Sequence, residues 1–221
     1  PLTKIGGSSS KPTNYGASLG YDAPSDSLGW DAGVGYLYNL IGANDVAYSV
    51  VNFTGATGGN PNGYINRVGG GSLYADVNSG PFTVGARYVA ALQRFNSSDL
   101  TKNGFSDLAA ASAGIGNAAG TAITPAASAS GAKPWAAGIQ AGYGFDAWGK
   151  NQNVYLGYQA SRESAGINIP KSRWLVGYGV DFFKNTHWGL EWDHDMAYNA
   201  SNGGSGNNTN LVSVRSSVKF G

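Results

Sequence analysis

The sequence contains no cysteine, a single methionine and only 2 histidines among its 221 residues. Without thiols there is neither a disulfide framework nor a thiolate metal site. Charge is scarce as well: 14 basic and 13 acidic residues amount to 12% of the chain, against a usual share of about 25%. The near balance of signs leaves no basic stripe of the kind that marks nucleic-acid proteins, so no nucleic-acid partner is expected. No run of about 18 apolar residues exists, which excludes a helical membrane span. The abundant residues are Gly, with 35, and the aromatics, with 6 Trp, 13 Tyr and 8 Phe. Glycine without a period of three is not collagen-like. The mean hydropathy of −0.22 conceals an alternation in which one face is apolar and the other polar. Opening at Pro1 with no initiator Met and no signal sequence, the chain is expected to be a processed product or a fragment.

Segments of about nine to fourteen residues alternate apolar or aromatic positions with Gly or polar ones, which is strand periodicity. Clean rows are Tyr15, Ala17, Leu19, Tyr21; then Trp30, Ala32, Val34, Tyr36, Tyr38, Leu40; then Phe82, Val84, Ala86, Tyr88, Ala90. They continue with Trp135, Ala137, Ile139, Ala141, Tyr143, Phe145 and with Val154, Leu156, Tyr158, Ala160. The last three rows are 174–182, 188–194 and 212–220. Two less regular candidates, 44–55 and 63–77, bring the expected total to about ten strands, with Gly69, Gly70 and Gly71 marking a bulge or bend.

The connections alternate between short and long. Short ones fall at 41–44, 78–81, 148–151 and 183–186, long ones at 22–29, 56–63, 96–133, 163–171 and 199–208. Transmembrane β-barrels have short periplasmic turns and longer extracellular loops. The expected fold is therefore an all-β, antiparallel, up-and-down transmembrane β-barrel, a single domain over 1–221. On this count the first strand ascends, the last descends, and both ends of the chain lie on the periplasmic side of a bacterial outer membrane. The Ala/Ser/Gly-rich loop 96–133 is extracellular, with a short helix expected near 105–119 because Ala favours helix. It either constricts the mouth or covers it.

Facing assigns the chemistry. Tyr21, Trp30, Tyr88, Trp135, Trp174 and Trp192 fall toward the expected extracellular ends. Tyr15, Tyr38, Phe82, Phe145, Phe182, Trp188 and Phe220 fall toward the periplasmic ends, with Ala, Val, Leu and Ile between the two sets. Two aromatic belts around an aliphatic band are what a membrane barrel requires, since amphipathic rings sit at its interfaces. The opposite, Gly-rich face carries the expected lumen charges Asp31, Arg87, Asp146, Arg173, Asp181, Glu191, Asp193, Asp195, Arg215 and Lys219. The acidic ladder Glu191, Asp193, Asp195 faces Arg215 and Lys219 on the neighbouring strand. Such an arrangement either neutralises charge and fixes register or lines a selective aqueous path. The many glycines on this face are expected to leave free space for a path.

An enzyme is not expected. A hydrolase site would need a His paired with a carboxylate or Ser, and only His187, beside a short turn, and His194 are available. His194 shares its phase with Trp188, Leu190 and Trp192, while Asp193 and Asp195 point to the other side. Residues on opposite faces of a strand cannot converge on a metal, so neither a metal nor another cofactor is expected.

Three segments resemble the siderophore-porin (LbtU-like) family of bacterial outer membranes. They are Pro1-Leu2-Thr3-Lys4, then Ile169-Pro170-Lys171-Ser172-Arg173-Trp174, then the run from Lys184-Asn185-Thr186 through Leu190-Glu191-Trp192-Asp193-His194-Asp195 to Tyr198. Family members are longer, so the resemblance spans this chain and only the C-terminal portion of a member. It implies passage of small chelates, ferric siderophores included, without a plug coupled to inner-membrane energy, and it transfers no binding residue. Physical reasoning also leaves room for a larger barrel. Ten strands suffice to close, but a water-filled channel usually takes about sixteen, and open sheet edges in lipid cost several kcal/mol per unpaired group. The expected function is an outer-membrane porin for small polar solutes. The alternative is a structural or adhesive barrel with a plugged lumen and partner-binding loops. Expected partners are outer-membrane lipid, lipopolysaccharide and the solute, with a second copy or another envelope protein left open.

Overall fold

The computed structural model describes residues 14–25, 27–40, 67–96, 100, 131–183 and 185–219. Nine strands are present among them: β1 (Gly16–Ala23), β2 (Gly29–Leu37), β3 (Gly70–Ser79), β4 (Phe82–Ala91), β5 (Trp135–Ala147), β6 (Lys150–Arg162), β7 (Ser172–Phe183), β8 (Thr186–Met196) and β9 (Thr209–Val218). They form one sheet in chain order, each strand antiparallel to the next. No described helix is long and apolar enough to cross a membrane. Two one-turn 3₁₀ helices, Ala165–Ile167 and Ala200–Asn202, lie between strands.

Register locks the rows together. Residues directly opposite on antiparallel strands share a face, and apolar meets apolar across the sheet: Leu19 opposite Val34, Val34 opposite Leu73, Leu73 opposite Tyr88. The match continues with Ala86 opposite Ile139, Ile139 opposite Tyr158, Leu156 opposite Val176 and Leu190 opposite Val214. A slip of one residue anywhere would send a whole row to the wrong face.

Turn chemistry fixes the hairpins. Trp148 and Gly149 form the entire connection between β5 and β6, both with left-handed backbone, φ 52° and 66°. Two successive positive φ values match the right-handed twist of the flanking strands. Gly80 before Pro81 and Asn185 after β7 also take positive φ, at 55° and 63°.

The direct pairing of β2 with β3 changes the expected topology. The candidate strand 44–55 lies outside the described residues, as does the expected helix at 105–119, and no strand stands between β2 and β3 in the sheet. With nine antiparallel strands instead of ten, β1 runs in the same direction as β9. The first strand therefore does not ascend while the last descends: Gly16 and Val218 sit at opposite rims. The connections sort more cleanly than expected. The strand ends that flank 24–28, 80–81, 148–149 and 184–185 lie at one rim, whereas those that flank 38–69, 92–134, 163–171 and 197–208 lie at the other. Of these, 24–28 was expected among the long loops and belongs with the short turns.

All-β, antiparallel and up-and-down are features of the structure, but closure is not: β1 and β9 do not pair, and the sheet is open. Its apolar side chains are uncovered, with Leu19 75% and Val214 67% exposed. The buried cluster lies instead at the long-loop rim, where Val68, Ala91, Phe95, Leu100 and Ala132 pack with Leu40 and Ile167. Leu40 was expected to extend the outer row of β2. It leaves that row and fills the space against Gly70 on the opposite face.

Candidate functional site

The polar face is set by the residues alternating with the apolar rows. Register places on it Asp31, Arg87, Asp146, Arg173, Asp181, Glu191, Asp193, Asp195 and Arg215, with Lys219 just past β9 in the same phase. Two carboxylates join them that the sequence reading missed. Asp22, opposite Asp31, was assigned to a loop, and Asp76, opposite both Asp31 and Gly85, sat in a segment whose facing was ambiguous. The alternation Tyr74, Asp76, Asn78 against Leu73, Ala75, Val77 was the available signal. Carboxylates on this face outnumber cations two to one. Within the strands the apolar face carries Lys150 and Arg162 alone as fixed charges, at the two ends of β6.

Two arginines are held in ion pairs. Arg87 meets Asp76 with both guanidinium nitrogens, at 2.9 and 2.6 Å, and lies 5.2 Å above the Tyr74 ring. Arg173 grips Asp195 through Nε at 2.5 Å and Nη2 at 2.7 Å, and stands 4.0 Å from Asp193. Fork-to-carboxylate geometry of this kind is the strong form of the interaction. The acidic ladder of β8 is thus compensated from β7, not from Arg215 on β9 and Lys219 just past it as expected. Arg215 stands opposite Gly189 and makes no ion pair among the described residues. Glu191 accepts instead a hydrogen bond from the Tyr155 hydroxyl at 2.7 Å. Asp193, 5% exposed, stands between Leu175 and Leu211, and its Oδ1 has no hydrogen-bond partner among the described residues.

Most glycines of this face do not leave the expected free space; Gly144 and Gly189, which meet only backbone at 3.8–3.9 Å, are the ones that do. A Cβ on Gly33 would overlap the Tyr74 ring, one on Gly177 would overlap Tyr155, and one on Gly179 would collide with Asn153 and His187. Each of these three is a seat for a neighbour's side chain. Open volume lies above the same face. A cavity of about 600 Å³ is lined by Asp31, Asp76, Arg87, Gln140, Gln159 and Arg173. Residues from β2 to β7 surround one space only if the sheet curls with its polar face inward. A second, apolar cavity of about 560 Å³ lies nearer the long-loop rim, between Leu37, Leu40, Val89, Phe95 and Ile167. Long-loop segments meet there: Glu163 accepts hydrogen bonds from Arg94 at 3.1 Å and from the Lys133 amide at 2.7 Å.

The histidines separate. His194 is on the apolar face, between Trp174 and Asn210, with Nδ1 2.9 Å from Asn210 Oδ1. His187 Nδ1 lies 2.8 Å from Asp181 Oδ1 on the polar face. This pairing across the turn at 184–185 was missed because His187 was placed beside the turn and not matched to Asp181 on the preceding strand. Ser217 is opposite His187 on β9, whereas the imidazole leans over Gly179 on β7, so the three do not form a relay.

Aromatics collect near both rims of the apolar face, with four changes of place. Tyr21 and Trp30, whose rings are 5.3 Å apart, sit beside residues 24–28 at the short-turn rim, as do Phe82, Phe145, Phe182 and Trp188. Tyr15 and Tyr38, stacked at 4.4 Å, are at the long-loop rim with Tyr88, Trp135, Trp174 and Trp192. Both pairs follow the reversed direction of β1 and β2. Phe220 lies outside the described residues. Gln152, polar but on this face, is satisfied by the Tyr178 hydroxyl at 2.6 Å and by the carbonyl of Ala147 at 2.8 Å.

Fold and faces together define a class: an all-β chain built as one antiparallel sheet with an exposed apolar side and a charged inner side. No family model matches it. The chain is similar to a UPF0422 protein of Legionella pneumophila strain Philadelphia 1, 23% identical over 203 residues, which cover 89% of this chain and 33% of the relative. A UPF0422 protein of Coxiella burnetii strain RSA 493 / Nine Mile phase I is 24% identical over 186 residues, covering 83% and 33%. The chain thus spans about a third of the length of these curated relatives.

Proposed function

We propose that the chain forms part of the wall of an outer-membrane β-barrel channel that passes small polar solutes. One observation carries the reading: across all nine strands one face is apolar, with aromatics at both rims, while the other holds every strand-borne charge except Lys150 and Arg162 at the ends of β6. In water an exposed apolar surface of this extent is an aggregation liability; in lipid it is the required exterior. Sorting of long and short connections to opposite rims supports the same setting, with long loops outside and short turns in the periplasm. Outer-membrane lipid and lipopolysaccharide are then the partners of the apolar face. Ferric siderophores enter as candidate solutes through the resemblance at 169–174 and 184–198 alone.

Planar-bilayer recording tests the reading. The expected result is discrete conductance steps whose size changes in Arg215→Gln, the strand-borne arginine of the polar face that makes no ion pair among the described residues. A protein that inserts in the bilayer and never conducts refutes it. The buried cluster around Phe95 and Leu100 favours a second reading, a barrel capped at the long-loop rim that serves adhesion or structure. Silence in the bilayer that persists after deletion of 101–130 is the outcome expected of that alternative.

A further inference from the structure

From the distribution of charge over the polar face, we infer that the channel selects cations, its permeant class being small inorganic and organic cations in preference to anions. The inference rests on the channel reading above and adds the sign of the solute. The whole chain is nearly neutral, with a formal net charge of +1, yet its inner face is not. Carboxylates alternate into that face on β1, β2, β3, β5, β7 and β8. Basic residues are concentrated where the strands end, as with Lys133, Lys150, Arg162 and Lys171.

Pairing deepens the asymmetry. Arg87 and Arg173, two of the few cations facing inward, are neutralised by Asp76 and Asp195 at hydrogen-bond distance. Asp22 and Asp31 have no such partner among the described residues. They stand directly opposite one another, and Asp31 is directly opposite Asp76. Like charges abreast on neighbouring strands repel, and mobile cations in the adjoining space relieve that repulsion. Asp31 also lines the 600 Å³ cavity, beside the Asp76–Arg87 pair, which places an unpaired carboxylate on the open volume instead of in a packed corner. Low-dielectric walls carrying one sign of charge focus the field and concentrate the opposite ion, and acidic rings are the usual basis of cation preference in pores.

The test is the reversal potential of the complete protein that carries this sheet, in a planar bilayer under a potassium chloride gradient. A potential of the sign set by potassium is expected, shifting toward zero in Asp22→Asn/Asp31→Asn. That double variant removes a repulsion and no hydrogen bond, so the fold is retained, and far-UV circular dichroism with an unchanged conductance step rate verifies this. A chloride-directed potential, or a potassium-directed one that the double variant leaves unmoved, overturns the inference while leaving the channel intact. Absence of any conductance overturns the channel reading, and the inference with it.

Discussion

Gly177 is a glycine because Tyr155 occupies the space its side chain would need. Substituting Gly177→Ala pushes the ring away and breaks its hydrogen bond to Glu191. The expected loss is about 1–3 kcal/mol, typical of overpacking, read as a lower urea midpoint in detergent. Adding Tyr155→Ala should shrink the further cost of the alanine, because the clash is gone. Trp148 presents the opposite case. It is 90% exposed at a turn with φ 52°, a conformation that costs most residues about 1–2 kcal/mol and Asn little. Trp148→Asn should therefore raise the same midpoint. At this scale the sequence was informative about type and silent about fit. Alternation showed which face each glycine takes, but which aromatic leans over it depends on rotamers of the neighbouring strand.

Individual strands and their pairings make sharper demands. Ile139 and Gln140 are neighbours on β5 with opposite facing, Ile139 on the exposed apolar side and Gln140 in the cavity. If that side meets lipid, Ile139→Arg should lower the stability of the vesicle-folded protein by about 2–4 kcal/mol, whereas Gln140→Arg should stay within about 0.5 kcal/mol. Equal small effects would contradict the membrane setting. Between β7 and β8, Arg173→Met strips Asp193 and Asp195 of their cation and should cost about 1–3 kcal/mol. Arg87→Met at the more exposed pair should cost below about 1 kcal/mol. Eight of the strands were legible to within a few residues because their rows alternate cleanly. The segment 63–77 was not: its glycines carry no periodicity, and β3 starts only at Gly70. That one ambiguity propagated. An extra strand before β3 reversed β1 and β2, and with them the heights of Tyr15, Tyr21, Trp30 and Tyr38.

For the molecule as a whole, the division into an apolar and a polar side was legible from the sequence, since period-two patterning survives any error in strand count. The count itself was not, because it depends on which segments pair. It has a consequence of symmetry. Two copies inserted in one membrane with the same sidedness are related by a rotation about the membrane normal, and no such rotation turns an upward strand downward. Since β1 and β9 point the same way, sealing β9 of one copy to β1 of another would make a parallel seam. So would sealing one copy to itself. Cysteines at Ser18 and Ser213 should accordingly fail to form a disulfide, within or between chains, under oxidation that links Glu191→Cys to Ser213→Cys across the antiparallel β8–β9 pair. An all-antiparallel cylinder can be completed only by an odd set of strands that begins and ends against the grain of this sheet.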